Sequence, residues 1–190
     1  SCSDDRIAKI FDFLTAKEEI EYKGHGSDVK SCDWHPQQCL VATGSQDNYV
    51  KLWDPRSGQD VFSMQPHNKI INRVRWNPIN GNWLLTGSQD ASLKVHDIRV
   101  MKEFNHFQGH DNQVTSVDWH PFKEELFASG SYTGQIIYWH ANNGLLHLID
   151  KAHFSPKGDP SMVWGLAWHP EGHMLVLSLI HISEPTRLLS

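Results

Sequence analysis

Gly24-His25-Gly26-Ser27-Asp28-Val29-Lys30-Ser31-Cys32-Asp33-Trp34-His35-Pro36 opens a unit that runs on through Leu40-Val41-Ala42-Thr43-Gly44-Ser45-Gln46-Asp47 and closes on Trp53-Asp54. The same plan returns along the chain. His25, His67, His110 and His153 stand 42, 43 and 43 residues apart. Trp34, Trp76 and Trp119 follow at 42 and 43, and Trp168 comes after a longer interval of 49. Phe11, Trp53, His96 and Trp139 form a third ladder at 42, 43 and 43. Three ladders with one period mark a repeated supersecondary unit, not a bias of composition.

Inside the unit the pattern is that of short strands. Val29 to Trp34 begins one, and His35-Pro36 ends it, since proline cannot donate to a central ladder. Leu40 to Thr43 reads as a second strand and Gly44 to Asn48 as a tight turn. Tyr49 to Trp53 is a third strand, and Asp60 to Met64 an outer fourth. A four-stranded repeat of this length predicts an all-β β-propeller, one blade per repeat. The blades divide as 23–65, 66–108 and 109–151, with the end of a partial blade at 1–22 and the start of another at 152–178. Closed rings need roughly four to eight blades, so three whole units between two partial ones are expected to be part of a larger ring, a free-standing four-blade ring being the lesser alternative.

Spacing within each unit also predicts a buried polar network. A loop histidine (His25), a strand hydroxyl (Thr43), a turn carboxylate (Asp47) and an indole (Trp53) recur as His67, Thr86 and Asp90, with His96 in the indole's place. The third set is His110, Ser129 and Trp139, with Thr133 where the carboxylate belongs. Buried polar groups need partners, and each set supplies them internally. A hydroxyl, a histidine and a carboxylate also imitate a hydrolytic triad, but recurrence in successive blades beside an indole makes the structural reading the better one. No catalytic residue is assigned. His35, His120 and His169 hold equivalent places in different blades, which spreads them apart, whereas zinc needs its ligands about 2 Å from one centre. Neither a metal nor another cofactor is expected.

The formal charge of -5 gives no basic surplus for broad phosphate binding. Three cysteines, Cys2, Cys32 and Cys39, show no disulfide or zinc spacing and fit a reducing compartment. No apolar run is long enough to span a bilayer, and no membrane partner is expected.

Gly24-His25, Gly109-His110 and Trp53-Asp54, with the histidine networks, resemble the WD-repeat family over residues 1–178. Within it, Lys23 to Pro36, Asn80 to Thr86, Glu125 to Gly130 and Val163 to His173 resemble the WD-repeat subunits of the eukaryotic pre-mRNA cleavage and polyadenylation factor. That resemblance implies a seven-bladed parent propeller and a nuclear, non-catalytic scaffold that helps recognise the polyadenylation signal. The implied partners are the other cleavage and polyadenylation factor subunits and pre-mRNA, the latter gripped mainly by a basic, aromatic-bearing segment that these residues do not include. The alternative is a general WD-repeat interaction module, such as a ubiquitin-ligase substrate receptor or a chromatin scaffold. Residues 179–190 depart from the pattern and resemble translated adapter or vector sequence, so a non-native tail is expected there.

Lys69, Arg73 and Arg75 are the local candidates for contact with an RNA backbone or an acidic partner. Alternation about Val74 puts the two arginines on one face of a strand. The insertion Phe154 to Ser161, rich in proline and glycine, predicts an exposed loop suited to a partner.

Overall fold

The computed structural model describes residues 1–149 and 161–181. His153, most of the predicted insertion loop and residues 182–190 of the predicted tail lie outside the described residues. Every regular element described is a strand. β1 (Ile7–Phe11) and β2 (Glu18–Lys23) form a two-stranded sheet. β3 (Val29–Trp34), β4 (Val41–Ser45), β5 (Val50–Trp53) and β6 (Asp60–Met64) form a four-stranded meander. A second comprises β7 (Ile71–Trp76), β8 (Trp83–Ser88), β9 (Ser92–Asp97) and β10 (Lys102–Gln108). A third comprises β11 (Val114–Trp119), β12 (Leu126–Ser131), β13 (Ile136–His140) and β14 (Gly144–Ile149). β15 (Ser161–Trp168) and β16 (Leu175–His181) pair as a last hairpin. All pairings are antiparallel.

The first strands crowd together, β3 against β7, β7 against β11 and β11 against β15. The second strands β4 and β8 are buried along their whole length, whereas the fourth strands β6 and β10 are largely exposed. The sheets therefore converge on their first strands and turn their outer edges to solvent, the arrangement of a partial β-propeller.

Each core lies between one sheet and the next. Ala42, Val50 and Leu52 meet Ile71, Val74, Trp76 and Leu84 of the following sheet. Leu85, Val95 and Phe107 meet Val117, Phe127 and Trp139 in the largest cluster. Burying one such side chain stabilises by about 1.5–3 kcal/mol, so these boundaries dominate cohesion.

Two details differ from the sequence reading. β4 continues through Gly44 and Ser45, which pair with Ser31 and Val29, and the turn begins after them. Glycine is there for close approach: a Cβ on Gly44 would lie 2.4 Å from Val74 Cγ2. At the last hairpin, Trp168 pairs with Leu175 and Ser178 with Gly165, so Ser178 occupies the place of Gly130, which pairs with Ser116. The connecting turn is one residue shorter than the one between Trp119 and Phe127, so counting forward from the tryptophans sets Ser178 against Ser129, whereas strand pairing sets it against Gly130. β16 runs on through Leu179, Ile180 and His181, the first residues of the segment read as a tail.

Candidate functional site

The four side chains of the second unit meet across two strands and two loops. Trp53 Nε1–H on β5 donates to Thr43 Oγ1 on β4 at 2.7 Å. Thr43 Oγ1 lies 2.7 Å from His25 Nε2, and His25 Nδ1 lies 2.9 Å from Asp47 Oδ2. Satisfying every atom assigns a neutral His25 that donates from Nδ1 to Asp47 and accepts the Thr43 hydroxyl at Nε2. Asp47 also accepts from the Gly26 and Tyr49 N–H groups, so it ties the histidine loop to its own turn. Burial lowers the His25 pKa against the opposing pull of Asp47. Burial disfavours the Asp47 charge too, but the Tyr49 N–H, His25 and the Gly26 N–H outweigh it and hold the carboxyl below its ordinary range.

The next two units keep the plan with substitutions. His67 spans Thr86 Oγ1 at 2.9 Å and Asp90 Oδ2 at 3.0 Å, and Ser92 joins at 3.1 Å from Nδ1. His96, buried where an indole would stand, is pushed down to about 4 by desolvation. In the third unit Trp139 donates to Ser129 Oγ at 2.7 Å, which lies 2.6 Å from His110 Nε2. Thr133 bonds to Ser131 rather than to the histidine, and Gln135 takes over as its neutral neighbour while also gripping Asp111. Phe11, read as a member of the indole ladder, is 51% exposed. Beside β1 the second-strand part is played by Ser1 and Cys2, through the Ser1–Lys9 backbone hydrogen bonds and the bridge of Cys2 to Ala8.

Histidines after the tryptophans serve their own turns. His35 Nδ1 accepts from the Gln37 and Gln38 N–H groups, and His120 Nδ1 from those of Phe122 and Lys123. Asn77 Oδ1 does the same for Ile79 and Asn80. His120 Nε2 lies 3.1 Å from the Gly172 carbonyl of the next hairpin. Among the described residues no group of three or more His, Cys, Asp or Glu is placed to hold a metal ion.

A feature that periodicity alone did not reveal lies along the first strands. Ser31 Oγ accepts from Val74 N–H and Asp33 Oδ2 from Trp76 N–H, tying β3 to β7. Ser116 and Asp118 repeat this toward Leu166 and Trp168, tying β11 to β15. The legible signal was Ser-x-Asp-Trp, present at Ser31 to Trp34 and Ser116 to Trp119 and replaced by Arg73-Val74-Arg75-Trp76 between them. The arginines fill the gap: Arg73 Nε donates to the Thr115 carbonyl, and Arg75 sits between two carboxylates, 3.2 Å from Asp33 and 4.0 Å from Asp118. Burial raises the pKa of both aspartates, against the pull of Arg75.

The three basic candidates are thus not one patch. Lys69 is exposed in the loop after His67. Arg73 lines a cavity of about 370 Å³ where the first strands converge, with Lys30, Asn72, Gln113, Thr115, Tyr132, Met162 and Trp164 around it. Lys30 is itself paired with Asp4 and Asp28. Arg75 has its charge compensated between Asp33 and Asp118. The chemistry on offer is contact and scaffolding: the hydroxyls of the triad-like sets are fully buried and already engaged by indole or backbone.

The family model of the WD domain, G-beta repeat, matches residues 16–54, 58–97 and 101–140, more than half of the chain. The chain belongs to the WD40 repeat family. Its sequence repeat is offset from its sheets: 16–54 takes in β2 of one sheet with β3, β4 and β5 of the next. WD40 repeats are a non-catalytic scaffold family. It is similar to polyadenylation factor subunit 2 of Neurospora crassa, 42% identical over 81 residues that cover 43% of this chain and 12% of that protein. The same subunit of Gibberella zeae is 42% identical over 73 residues, 38% of this chain and 12% of that protein. The human peroxisomal targeting signal 2 receptor is 36% identical over 81 residues, 41% of this chain and 25% of that protein. The matched part is thus about an eighth of the length of the two polyadenylation factor subunits.

Proposed function

We propose that this WD40 chain is part of a nuclear scaffold subunit of the pre-mRNA 3′-end cleavage and polyadenylation machinery, holding other factor subunits near the polyadenylation signal. The observation that carries this reading is the 42% identity to the fungal polyadenylation factor subunits, higher than the 36% to the peroxisomal receptor over a span of the same length. The geometry is compatible: the histidine networks, Ser31, Asp33, Ser116 and Asp118 all serve cohesion, which leaves loops and strand edges free to vary with the partner. Of the basic candidates, Lys69 and Arg73 go forward as contacts for an RNA backbone or an acidic partner. Arg75 is the weakest of the three, its charge lying between two carboxylates.

The test is affinity purification of the tagged chain from nuclear extract, with proteins identified by mass spectrometry and RNA by crosslinking. Cleavage and polyadenylation subunits, with crosslinks near polyadenylation signals, are the expected result. Enrichment of ubiquitin-ligase or chromatin components without them would favour the general interaction module and overturn the proposal.

A further inference from the structure

The boundary between the β1–β2 sheet and the β3–β6 sheet is built from different residues than the boundaries after it. At those, a second-strand glycine packs on an aliphatic side chain of the next first strand. A Cβ on Gly44 would lie 2.4 Å from Val74, and one on Gly87 would lie 3.0 Å from Val117. A Cβ on Gly130 would lie 3.4 Å from Leu166. Val74, Val117 and Leu166 each stand two residues before the tryptophan that ends the strand, and Cys32 holds that place before Trp34. Cys2 holds the glycine's place: it bridges Ala8 six residues on, as Gly44 pairs with Val50. The Val29 N–H donates to the Ser3 carbonyl at 3.1 Å and pins the cysteine-bearing segment against β3.

Thiol therefore meets thiol where elsewhere glycine meets valine or leucine. The two thiols interact, which lowers the pKa of Cys32 and raises that of Cys2. Both are partly exposed, and Cys32 lines a cavity of about 130 Å³ shared with Tyr22, Trp34 and Val41. Cys39, the third cysteine, is exposed in the turn between β3 and β4.

We propose that Cys2 and Cys32 are a redox modification site, forming a reversible disulfide that staples the β1–β2 sheet to the β3–β6 sheet. A peroxide is the oxidant. The Cys32 thiolate attacks one peroxide oxygen, the O–O bond breaks, and Cys32 becomes a sulfenic acid as the first water leaves. The Cys2 sulfur then attacks the Cys32 sulfur, the S–O bond breaks, and the second water leaves with the Cys2 proton. Two thiols lose two electrons and two protons, and the peroxide is reduced to two waters. A dithiol reductant reverses the bond by exchange, so a reducing compartment keeps the pair open until oxidant rises.

The full chain, reduced, is treated with hydrogen peroxide in native buffer and, in parallel, in denaturant. Free thiols are counted and linked peptides are mapped by mass spectrometry. In native buffer the three thiols fall to one, Cys39, and the Cys2–Cys32 pair exceeds any other by about tenfold or more, as local juxtaposition dictates. In denaturant, pairs with Cys39 rise to comparable yield. Dithiothreitol restores all thiols, and Cys39→Ser leaves the native yield unchanged. Retention of all thiols in native buffer would overturn the proposal. So would over-oxidation of Cys32 with Cys2 free, or a native pairing pattern that matches the denatured one.

Discussion

At the scale of single residues, Asp47 holds more of the second unit together than its position in a surface turn implies. Its two oxygens fix the His25 ring, the Gly26 N–H and the Tyr49 N–H, and His25 in turn fixes Thr43. Removing the carboxylate leaves a buried imidazole N–H without its acceptor and frees the loop that carries it. Asp47→Ala is therefore expected to cost about 1–3 kcal/mol, the usual penalty of an orphaned buried donor. Equilibrium unfolding in denaturant measures it, and a change well below that range would mean the network is ornamental. The third unit is the natural control, since Thr133 stands where that carboxylate would be and Gln135 has taken over. Thr133→Ala should cost much less than Asp47→Ala under the same conditions.

Elements cohere through the faces between sheets, and the tightest of those contacts are glycines on second strands. Gly44→Ala would drive a methyl to 2.4 Å from Val74 Cγ2 and 2.8 Å from Ile71 Cγ2, forcing β4 and β7 apart. Overpacking of this kind costs about 1–3 kcal/mol. It should also speed hydrogen exchange in β7 as well as in β4, a readout that a purely local effect would not give. Exchange unchanged in β7 would count against the wedge. The same glycines explain where the sequence was and was not legible. Strand order and unit length followed from the tryptophan and histidine ladders, because most of those side chains are buried and recur with the repeat, Trp34 and Phe11 being the exposed exceptions. The end of β4 did not, because glycine signals a turn and a close approach with the same letter. The histidine networks could be listed from spacing, whereas the place of Arg75 between Asp33 and Asp118 needed the first strands to be set side by side. Cys2 and Cys32, 30 residues apart, looked unrelated until strand register put one on the glycine's position and the other on the valine's.

For the whole molecule, the buried histidines set how stability responds to acid. His96 and His110 lie in different sheets, both almost fully buried, and desolvation pushes each down to about 4. In the unfolded chain each returns to about 6.5. Between those values the unfolded state binds the protons that the folded state refuses, so stability falls as pH drops through the window and levels off below it. Each histidine can remove up to about 3 kcal/mol across the full window. His25, His35 and His120 are also lowered by burial and act in the same direction. Asp33 and Asp118 oppose them, because burial raises their pKa and protonation relieves a buried charge, but only near the acid end, above the ordinary carboxylate value. The expected result is a steady loss of unfolding free energy from about pH 6.5 toward about pH 4.5, ahead of general carboxylate titration. His96→Gln, which cannot take up a proton there, should flatten the slope by about one bound proton. Denaturant titrations at stepped pH measure both. A flat profile across the window, or an unchanged slope in His96→Gln, would show that these histidines reach water or a countercharge before the fold gives way.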